Sequence, residues 1–191
     1  RAPRDVYMPL PAIAVSGPNI YVAWENFHLA DWAYSLFFRR SSDGGATWQS
    51  LQKPVEDANC HNLSLAASDK TVYLVWQDDN DSVCDVYFRK SADGGAVWQP
   101  AQKLCATPRK SEFPRIALAG SALFVAWQEQ RASNRNGEIF LRTSADAGAT
   151  WQAAKKMTGT SGESQNPALA ALGQSILLAW RDNTKGNDEI Y

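Results

Sequence analysis

Carboxylic acids and aromatic rings are concentrated in four short segments of the sequence, 25–35, 77–85, 128–138 and 181–189. Together these segments hold 11 of the 20 acidic residues and only four cations. Carboxylates beside aromatic rings are typical of sugar-binding sites, where hydroxyls are hydrogen-bonded and the sugar stacks on a ring. Clustered carboxylates also bind cations such as Ca²⁺. The sequence therefore predicts a ligand site in these segments, with a bound Ca²⁺ as the one cofactor left open.

The first of these segments is the richest in aromatic residues, and its tryptophan is the only one that no repeat explains. Two other interpretations stay open: the rings pack on a neighbouring repeat or subunit, and the acids cap turns or pair with strand arginines. No metal site is assigned, because the two histidines lack the spacing of metal ligands. The ligand-binding candidates are Trp32, Phe27, His28, Tyr34 and Glu25 in the first segment, and Asp78, Glu129 and Asp182 in the others.

A short apolar run that ends in tryptophan recurs four times, at 20–24, 72–76, 123–127 and 176–180. The tryptophans are 52, 51 and 53 residues apart. A fixed period of this length is typical of an architecture in which each repeat forms one small β-sheet. The repeats divide the chain into units 11–62, 63–113, 114–166 and a shorter unit, 167–191. Each complete unit is predicted to form four strands.

A second element follows in the first three units and has the form Ser-x-Asp-x-Gly-x-Thr-Trp. The Ser and Asp oxygens can accept N–H groups of the loop, and glycine allows a positive φ. We therefore expect each element to be a hairpin connection between the third and fourth strands, with a structural and not a catalytic role. The residues concerned are Ser41, Asp43, Gly45 and Trp48; Ser91, Asp93, Gly95 and Trp98; and Ser144, Asp146, Gly148 and Trp151.

This element resembles the Asp box, and the chain is similar to the Asp-box (BNR) repeat β-propellers, of which sialidases are the best-known members. Two boxes depart from the pattern, with Val97 in place of Thr and Ala147 in place of the first Gly. The resemblance implies an all-β propeller of four-stranded antiparallel blades, with four recognisable units of which the last is truncated. It also implies that the boxes lie on one rim and the four acidic segments on the other, which we call the top rim.

Sialidases hold the carboxylate of sialic acid with a cluster of arginines, and the first of these belongs to a Phe/Tyr-Arg-Ile-Pro element. The early part of this chain has no such element, and the nearest string is 113–116, where Pro114 precedes Arg115. Arg115 lies on a predicted inner strand and is kept as a ligand-binding candidate. No catalytic residue is assigned, and the chain is expected to lack sialidase activity by itself.

Composition excludes several classes of protein. With 19 basic and 20 acidic residues the net charge is -1, which excludes a nucleic-acid binder that relies on a basic surface. No apolar run is long enough to span a membrane. We favour a non-catalytic recognition module that binds a glycan or a protein on the top rim. A sialidase-like glycoside hydrolase, or a fragment of one, and a structural or assembly role are the alternatives.

Two further expectations concern assembly and cysteines. A propeller removes its sheet edges only by closing, so we expect self-association or a longer parent chain to complete the ring. A hairpin register that pairs Ser91 with Trp98 also places Cys84 opposite Cys105, within reach of a disulfide, and leaves Cys60 free. Such a bond would indicate a secreted or periplasmic protein. Three free thiols in a cytosolic protein are the alternative.

Overall fold

The structure is a computed structural model that describes residues 10–28, 33–55, 59–79, 83–105, 107–131, 136–173 and 175–191. These residues contain no helix, and so none that is long and apolar enough to cross a membrane. They form fourteen strands: β1 (Ala12–Ser16), β2 (Asn19–His28), β3 (Ala33–Ser41), β4 (Cys60–Ser68), β5 (Thr71–Asp78), β6 (Asp85–Ser91), β7 (Gln102–Lys103), β8 (Ser111–Ala119), β9 (Ala122–Gln130), β10 (Gly137–Ser144), β11 (Lys155–Lys156), β12 (Ser164–Leu172), β13 (Ser175–Asp182) and β14 (Glu189–Ile190).

The strands form four antiparallel sheets in which neighbours in the chain are neighbours in the sheet. We call them blade 1 (β1–β3), blade 2 (β4–β7), blade 3 (β8–β11) and blade 4 (β12–β14). In blade 1 the place of a fourth strand is taken by a single bridge between Phe38 and Gln52. Blades 2, 3 and 4 begin at Cys60, Ser111 and Ser164, each three residues before the predicted unit. The expected all-β propeller fold is confirmed.

The repeated apolar run forms the second strand of each blade, and in blade 2 residues 72–77 of this strand are all buried. Alternate side chains of a strand point to opposite faces of its sheet. Leu74 accordingly belongs to a core shared with blade 1, whereas Tyr73 and Val75 belong to a core shared with blade 3. Fully burying one such side chain stabilises the fold by about 1.5–3 kcal/mol. In blades 2 and 3, which lie between other blades, the run is continuously apolar because both of its faces are covered.

The three Ser-x-Asp-x-Gly elements, which we call the boxes, form the same hydrogen-bonded loop. In the first box the Ser41 hydroxyl donates to Asp43 Oδ1 at 2.6 Å and accepts the Gly45 N–H at 2.9 Å. The Thr47 N–H donates to Asp43 Oδ1 at 2.9 Å. These bonds recur at Ser91 and Asp93, and at Ser144 and Asp146. The structural role predicted for the box residues agrees with these contacts.

The boxes also join neighbouring blades. Trp98 packs edge-on against Phe38 of blade 1, with ring centroids 5.3 Å apart, and Trp151 packs in the same way against Phe88 of blade 2 at 5.0 Å. A Cβ atom added to Gly148 would lie 2.5 Å from the Phe88 ring. This glycine is therefore needed for the close approach of two blades as well as for its φ of 85°.

The predicted Cys84–Cys105 disulfide is wrong in this structure, where all three cysteines are free and buried. β6 pairs Tyr87 with Lys103 and Phe88 with Gln102, which differs by one residue from the expected register. Cys105 therefore faces Asp85, and its sulfur lies 3.1 Å from Asp85 Oδ1. Burial, and a hydrogen bond to Asp79, raise the pKa of Cys84 to about 12. Burial raises the pKa of Cys105 to about 11, and the neighbouring Asp85 adds to this increase.

Candidate functional site

Most of the candidate residues that were expected in loops lie in strands. β2 continues to His28 and β3 begins at Ala33, so that Phe27 pairs directly with Tyr34. Asp78, Glu129 and Asp182 are likewise paired at or near the ends of the second strands of their blades. A residue in a paired strand has a fixed neighbour on each side. The contacts of these side chains are therefore made largely within the protein.

The first strands of blades 2, 3 and 4 share a β-bulge that creates a repeated polar contact between blades. The register shifts there, and Asn62, Phe113 and Asn166 adopt positive φ values of 51°, 55° and 52°. Each of these residues donates its backbone N–H to the side chain that follows the repeat tryptophan of the preceding blade. The acceptors are Glu25 at 2.9 Å, Gln77 at 3.4 Å and Gln128 at 3.2 Å.

Glu25 is thus the acidic member of a repeated position that holds glutamine in blades 2 and 3. Its side chain is buried, and burial raises the pKa of the carboxyl, while the backbone N–H groups of Asn62 and Leu10 act in the opposite direction. Gln77 and Gln128 were not among the candidates. The signal in the sequence was the long polar residue directly after each repeat tryptophan.

Asp182 and Glu129 occupy the next repeat position and are also buried. Asp182 accepts hydrogen bonds from the Ser164 hydroxyl at 2.6 Å, the Thr160 hydroxyl at 2.9 Å and the Thr184 N–H at 2.8 Å. Burial alone would raise the pKa of Asp182, but these bonds hold it well below its usual range. Glu129 faces Arg109 at 3.7 Å. Asp78 holds the same repeat position in blade 2, where it pairs with Cys60 of β4 on one side and with Asp85 of β6 on the other.

Other acids of the top rim form ion pairs with fourth strands. Asp85 pairs with Lys103 of β7, and Glu138 pairs with Lys156 of β11 at 2.5 Å, which repeats one contact in two blades. Asp79 lies 3.5 Å from His61. Within the described ranges no group of three or more His, Cys, Asp or Glu side chains is arranged to hold a metal ion. These acidic side chains therefore pair with basic side chains of the protein itself, as the structural interpretation of the acidic segments expects.

The described aromatic residues of the first segment pack against the start of blade 2. The rings of Phe27 and Tyr34 are 4.9 Å apart, and the ring of buried Tyr34 meets His61 edge-on at 4.1 Å. The Tyr34 N–H donates to Asn59 Oδ1 at 3.0 Å. Burial lowers the pKa of His61, whereas the negative charges of Asp79 and Asp78 act to raise it. Trp32 lies outside the described residues, as does the side chain of His28.

The first strands of blades 1, 2 and 3 converge on a cavity of about 350 Å³, the inner cavity. Arg115 of β8 enters it and is half-buried, and its Nη1 donates to the carbonyl of Pro114 at 2.9 Å. Among the described residues Arg115 has no ion-pair partner, and burial lowers its pKa. The other lining residues are Leu10, Pro11, Ala12, Ile13, Asn62, Leu63, Ser64 and Leu65.

A second cavity, of about 230 Å³, lies beside the box loops between blades 1 and 2. Arg40 and Asp93 both line it, and Arg40 donates to the Asp93 carbonyl. Lys90 holds the position of Arg40 in blade 2 and makes a similar contact with the box of blade 3, to the Ala147 carbonyl at 3.2 Å, one residue beyond the position of Asp93. Because the contact recurs between blades, this cavity belongs to the blade interface. The inner cavity is the better candidate for a ligand.

No family model matches the chain, and no curated protein matches it. Solved structures do match. The GH93 alpha-L-arabinofuranosidase of Fusarium graminearum, in complex with arabinobiose, matches with a TM-score of 0.68 and 15% identity over 90% of this chain and 55% of that one. An endo-arabinase from Bacteroides thetaiotaomicron matches with a TM-score of 0.61 and 11% identity, and the match covers 95% of this chain and 72% of that one.

The sialidase of Trypanosoma rangeli, in complex with 2,3-difluorosialic acid, matches with a TM-score of 0.64 and 13% identity. The match covers 90% of this chain and 34% of the sialidase, so the chain spans about a third of that enzyme's length. It spans about half the length of the arabinofuranosidase. At these identities the similarity is one of fold: the chain has the blade architecture of the β-propeller glycosidases.

Proposed function

We propose that this chain is a carbohydrate-binding propeller segment whose ligand enters the inner cavity beside Arg115. The observation that carries the proposal is a half-buried guanidinium that has no ion-pair partner among the described residues and opens into a cavity of about 350 Å³. A cavity of this size is at the lower end of the range typical of small-molecule sites. Structures with the same fold hold arabinobiose and a sialic acid derivative, which supports a sugar as the ligand.

The chemistry of the lining favours a sugar that carries a carboxylate. A guanidinium binds a carboxylate through two parallel hydrogen bonds, and these are stronger where water is partly excluded. Leu63 and Leu65 present apolar surface to the carbon face of a sugar ring, and the Ser64 hydroxyl can donate to a ring hydroxyl. An acidic sugar is therefore expected to bind more tightly than a neutral sugar of the same size.

Binding without hydrolysis is the function that we favour. Hydrolysis of a glycosidic bond usually needs two carboxyl groups on either side of it, and the described residues that line the inner cavity include none. A glycoside hydrolase, or part of one, is the second candidate, because the structures of similar fold are hydrolases and are longer than this chain. Because glycans of this kind lie outside cells, we also propose that the protein is secreted.

Calorimetric titration with N-acetylneuraminic acid, galacturonic acid and arabinobiose tests the proposal. We expect the two acidic sugars to bind and Arg115→Met to weaken their binding by roughly tenfold or more, the value of one charged hydrogen bond. Lys185→Met, which removes an exposed charge in blade 4, is the matched control and should bind normally. Equal affinity of Arg115→Met and the parent chain would contradict the proposal.

Trp32 remains a predicted ligand contact at the top rim. We expect Trp32→Ala to weaken binding of the sugar that the titration identifies, with little change in the thermal midpoint, because the repeats do not require this tryptophan. A large fall in the thermal midpoint would instead make Trp32 a core residue.

A further inference from the structure

The second cavity, between blades 1 and 2, is lined by more positive than negative charge. Its described lining includes two cations, Arg40 and Lys70, and one acid, Asp93. The Asp93 carboxylate accepts the Ser91 hydroxyl and the Val97 N–H within its own box, at 2.7 Å and 2.9 Å. Neither Arg40 nor Lys70 forms an ion pair in the described part of the chain. The described lining is thus positive in a chain whose net charge is -1.

The repeats show that the fold does not require a cation at either position. Arg40 holds the position of Lys90 in blade 2 and of Thr143 in blade 3. Lys70 is the second residue of the turn between the first two strands of blade 2, where blade 3 has Ser121. The carbonyl of each of these turn residues accepts an N–H of the box in its own blade. Blade 3 thus forms the same strand pairs and the same turn with a neutral residue at both positions.

Arg40 reaches from blade 1 to blade 2 and keeps donors for a ligand. Its Nη1 donates to the Asp93 carbonyl, and its Nη2 donates to Gln49 Oε1 at 3.2 Å. These two bonds fix the guanidinium, and each Nη carries a second N–H group beyond them. Gln49 accepts through its oxygen, which leaves its amide nitrogen as a donor. Ser42 adds a hydroxyl to the same lining.

The size of the second cavity and the placement of its cations favour a tetrahedral oxyanion. Its volume of about 230 Å³ lies below the roughly 300–1,000 Å³ that is typical of sites for whole small molecules. It is several times the share of one water molecule, about 30 Å³, so a sulfate or phosphate group fits with some of its waters. A planar carboxylate is bound best by the fork of one guanidinium, whereas a tetrahedral group has oxygens that can meet cations on two sides.

We propose that the second cavity binds a sulfate or phosphate group, held between Arg40 of blade 1 and Lys70 of blade 2. The two cations neutralise the group from opposite sides of the blade interface, and Ser42 and Gln49 supply neutral hydrogen bonds. The site shares no described lining residue with the inner cavity. The group can be a free ion or an ester carried by a sugar, because both present the same charged oxygens.

Titration of the 191-residue chain with sodium sulfate and sodium phosphate, followed by ¹H–¹⁵N NMR, tests this proposal. Sodium chloride keeps the ionic strength constant, so that screening alone causes no change. We expect saturable shifts of the amide signals of Asp93, which lines the cavity, and of Gly94, which donates to the Lys70 carbonyl. The dissociation constant should be millimolar, and the thermal midpoint should rise relative to chloride, because the anion binds only the folded chain.

Variants that borrow residues from blade 3 remove the charge and keep a side chain that the fold accepts. Arg40→Thr and Lys70→Ser should each raise the dissociation constant roughly tenfold or more, the value of one charged hydrogen bond. Lys70 is exposed in a turn, so Lys70→Ser tests the site even if Arg40→Thr loosens the interface. Lys90→Thr removes the equivalent cation of blade 2, which does not line the cavity, and should bind like the parent chain. Arg115→Met should also bind normally, which separates this site from the inner cavity.

Two esters distinguish the sources of the group. Tighter binding of N-acetylglucosamine 6-sulfate than of free sulfate would support the proposal with a sulfated sugar as the ligand. Tighter binding of glucose 6-phosphate than of free phosphate would support it with a phosphate ester, and binding of the free ions alone would support it with an inorganic anion. The proposal is overturned if no saturable shift appears up to about 50 mM of any of these anions, or if Lys70→Ser binds them as tightly as the parent chain.

Discussion

The three box aspartates differ in one hydrogen bond. Thr47 and Thr150 each donate a hydroxyl to the aspartate of their box at 2.5 Å, whereas Val97 has no hydroxyl to offer Asp93. Side-chain and backbone hydrogen bonds lower the pKa of Asp43 and Asp146 to about 2. The pKa of Asp93 is lowered as well, mainly by the Val97 N–H and the Ser91 hydroxyl.

Val97→Thr should lower the pKa of Asp93 further, towards the value of about 2 found for Asp43. The physical reason is that the added hydroxyl donates a stronger hydrogen bond to the ionised carboxylate than to the protonated carboxyl group. A titration of the carboxyl carbon by NMR measures the shift, and Val97→Ala is the control. An Asp93 pKa that is unchanged in Val97→Thr would contradict this account of the box.

The lowered pKa values of the box aspartates also determine how the stability of the folded protein changes with pH. The folded pKa of Asp43 lies below the unperturbed value of 3.8, so the stabilisation is present above about pH 4 and is lost as the pH falls towards 2. The thermal midpoint should fall over this interval. In Asp43→Asn this part of the fall should be absent.

The buried thiols should be unreactive in the folded protein. The thiolate is the reactive form, and pKa values of about 12 for Cys84 and about 11 for Cys105 leave almost none of it at pH 8. We expect a disulfide reagent to modify them roughly a hundredfold more slowly in the native protein than in denaturant. Peptide mapping without reductant should find three free cysteines, and a bridge between Cys84 and Cys105 would contradict the register of β6 and β7.

At the scale of the elements, the packing of one blade on the next depends on the box glycines. Gly148→Ala should destabilise the protein by roughly 2–4 kcal/mol, because the residue would be strained at its positive φ and its Cβ would meet the Phe88 ring. Denaturation in urea measures the change.

Gly120→Ala separates the two causes. Gly120 also has a positive φ, of 62°, but a Cβ there would meet no atom within 4 Å. Its replacement should cost only the backbone strain, about 1 kcal/mol. If both variants lose the same stability, the contact of Gly148 with Phe88 contributes nothing to the blade interface.

At the scale of the whole molecule, the proposal of binding without hydrolysis predicts that this chain does not turn over glycosides. Fluorogenic sialosides and α-L-arabinofuranosides should release no fluorophore above the buffer rate, because Arg115 is the charged group among the described lining residues and none of these is a carboxylate. An active sialidase serves as the positive control. Turnover that Arg115→Met abolishes would favour the hydrolase interpretation instead.

The blades and the boxes can be predicted from the amino-acid sequence, because both depend on local patterns. Four apolar runs about 52 residues apart predict four buried second strands, and Ser-x-Asp-x-Gly predicts the loop that the bonds at Ser41, Asp43 and Gly45 form. The residues that bond within a box are at most four positions apart. No knowledge of distant contacts is needed to predict it.

Which acidic residues are available to a ligand depends on contacts between blades, and local patterns do not predict these contacts. Side chains alternate along a strand, so a change of one residue in strand bounds or register moves a side chain from one environment to another. That is why Cys105 meets Asp85 and not Cys84, and why Glu25 accepts the Asn62 N–H of the next blade. Arg115 likewise became the leading candidate because the first strands of three blades, distant in the sequence, converge around it.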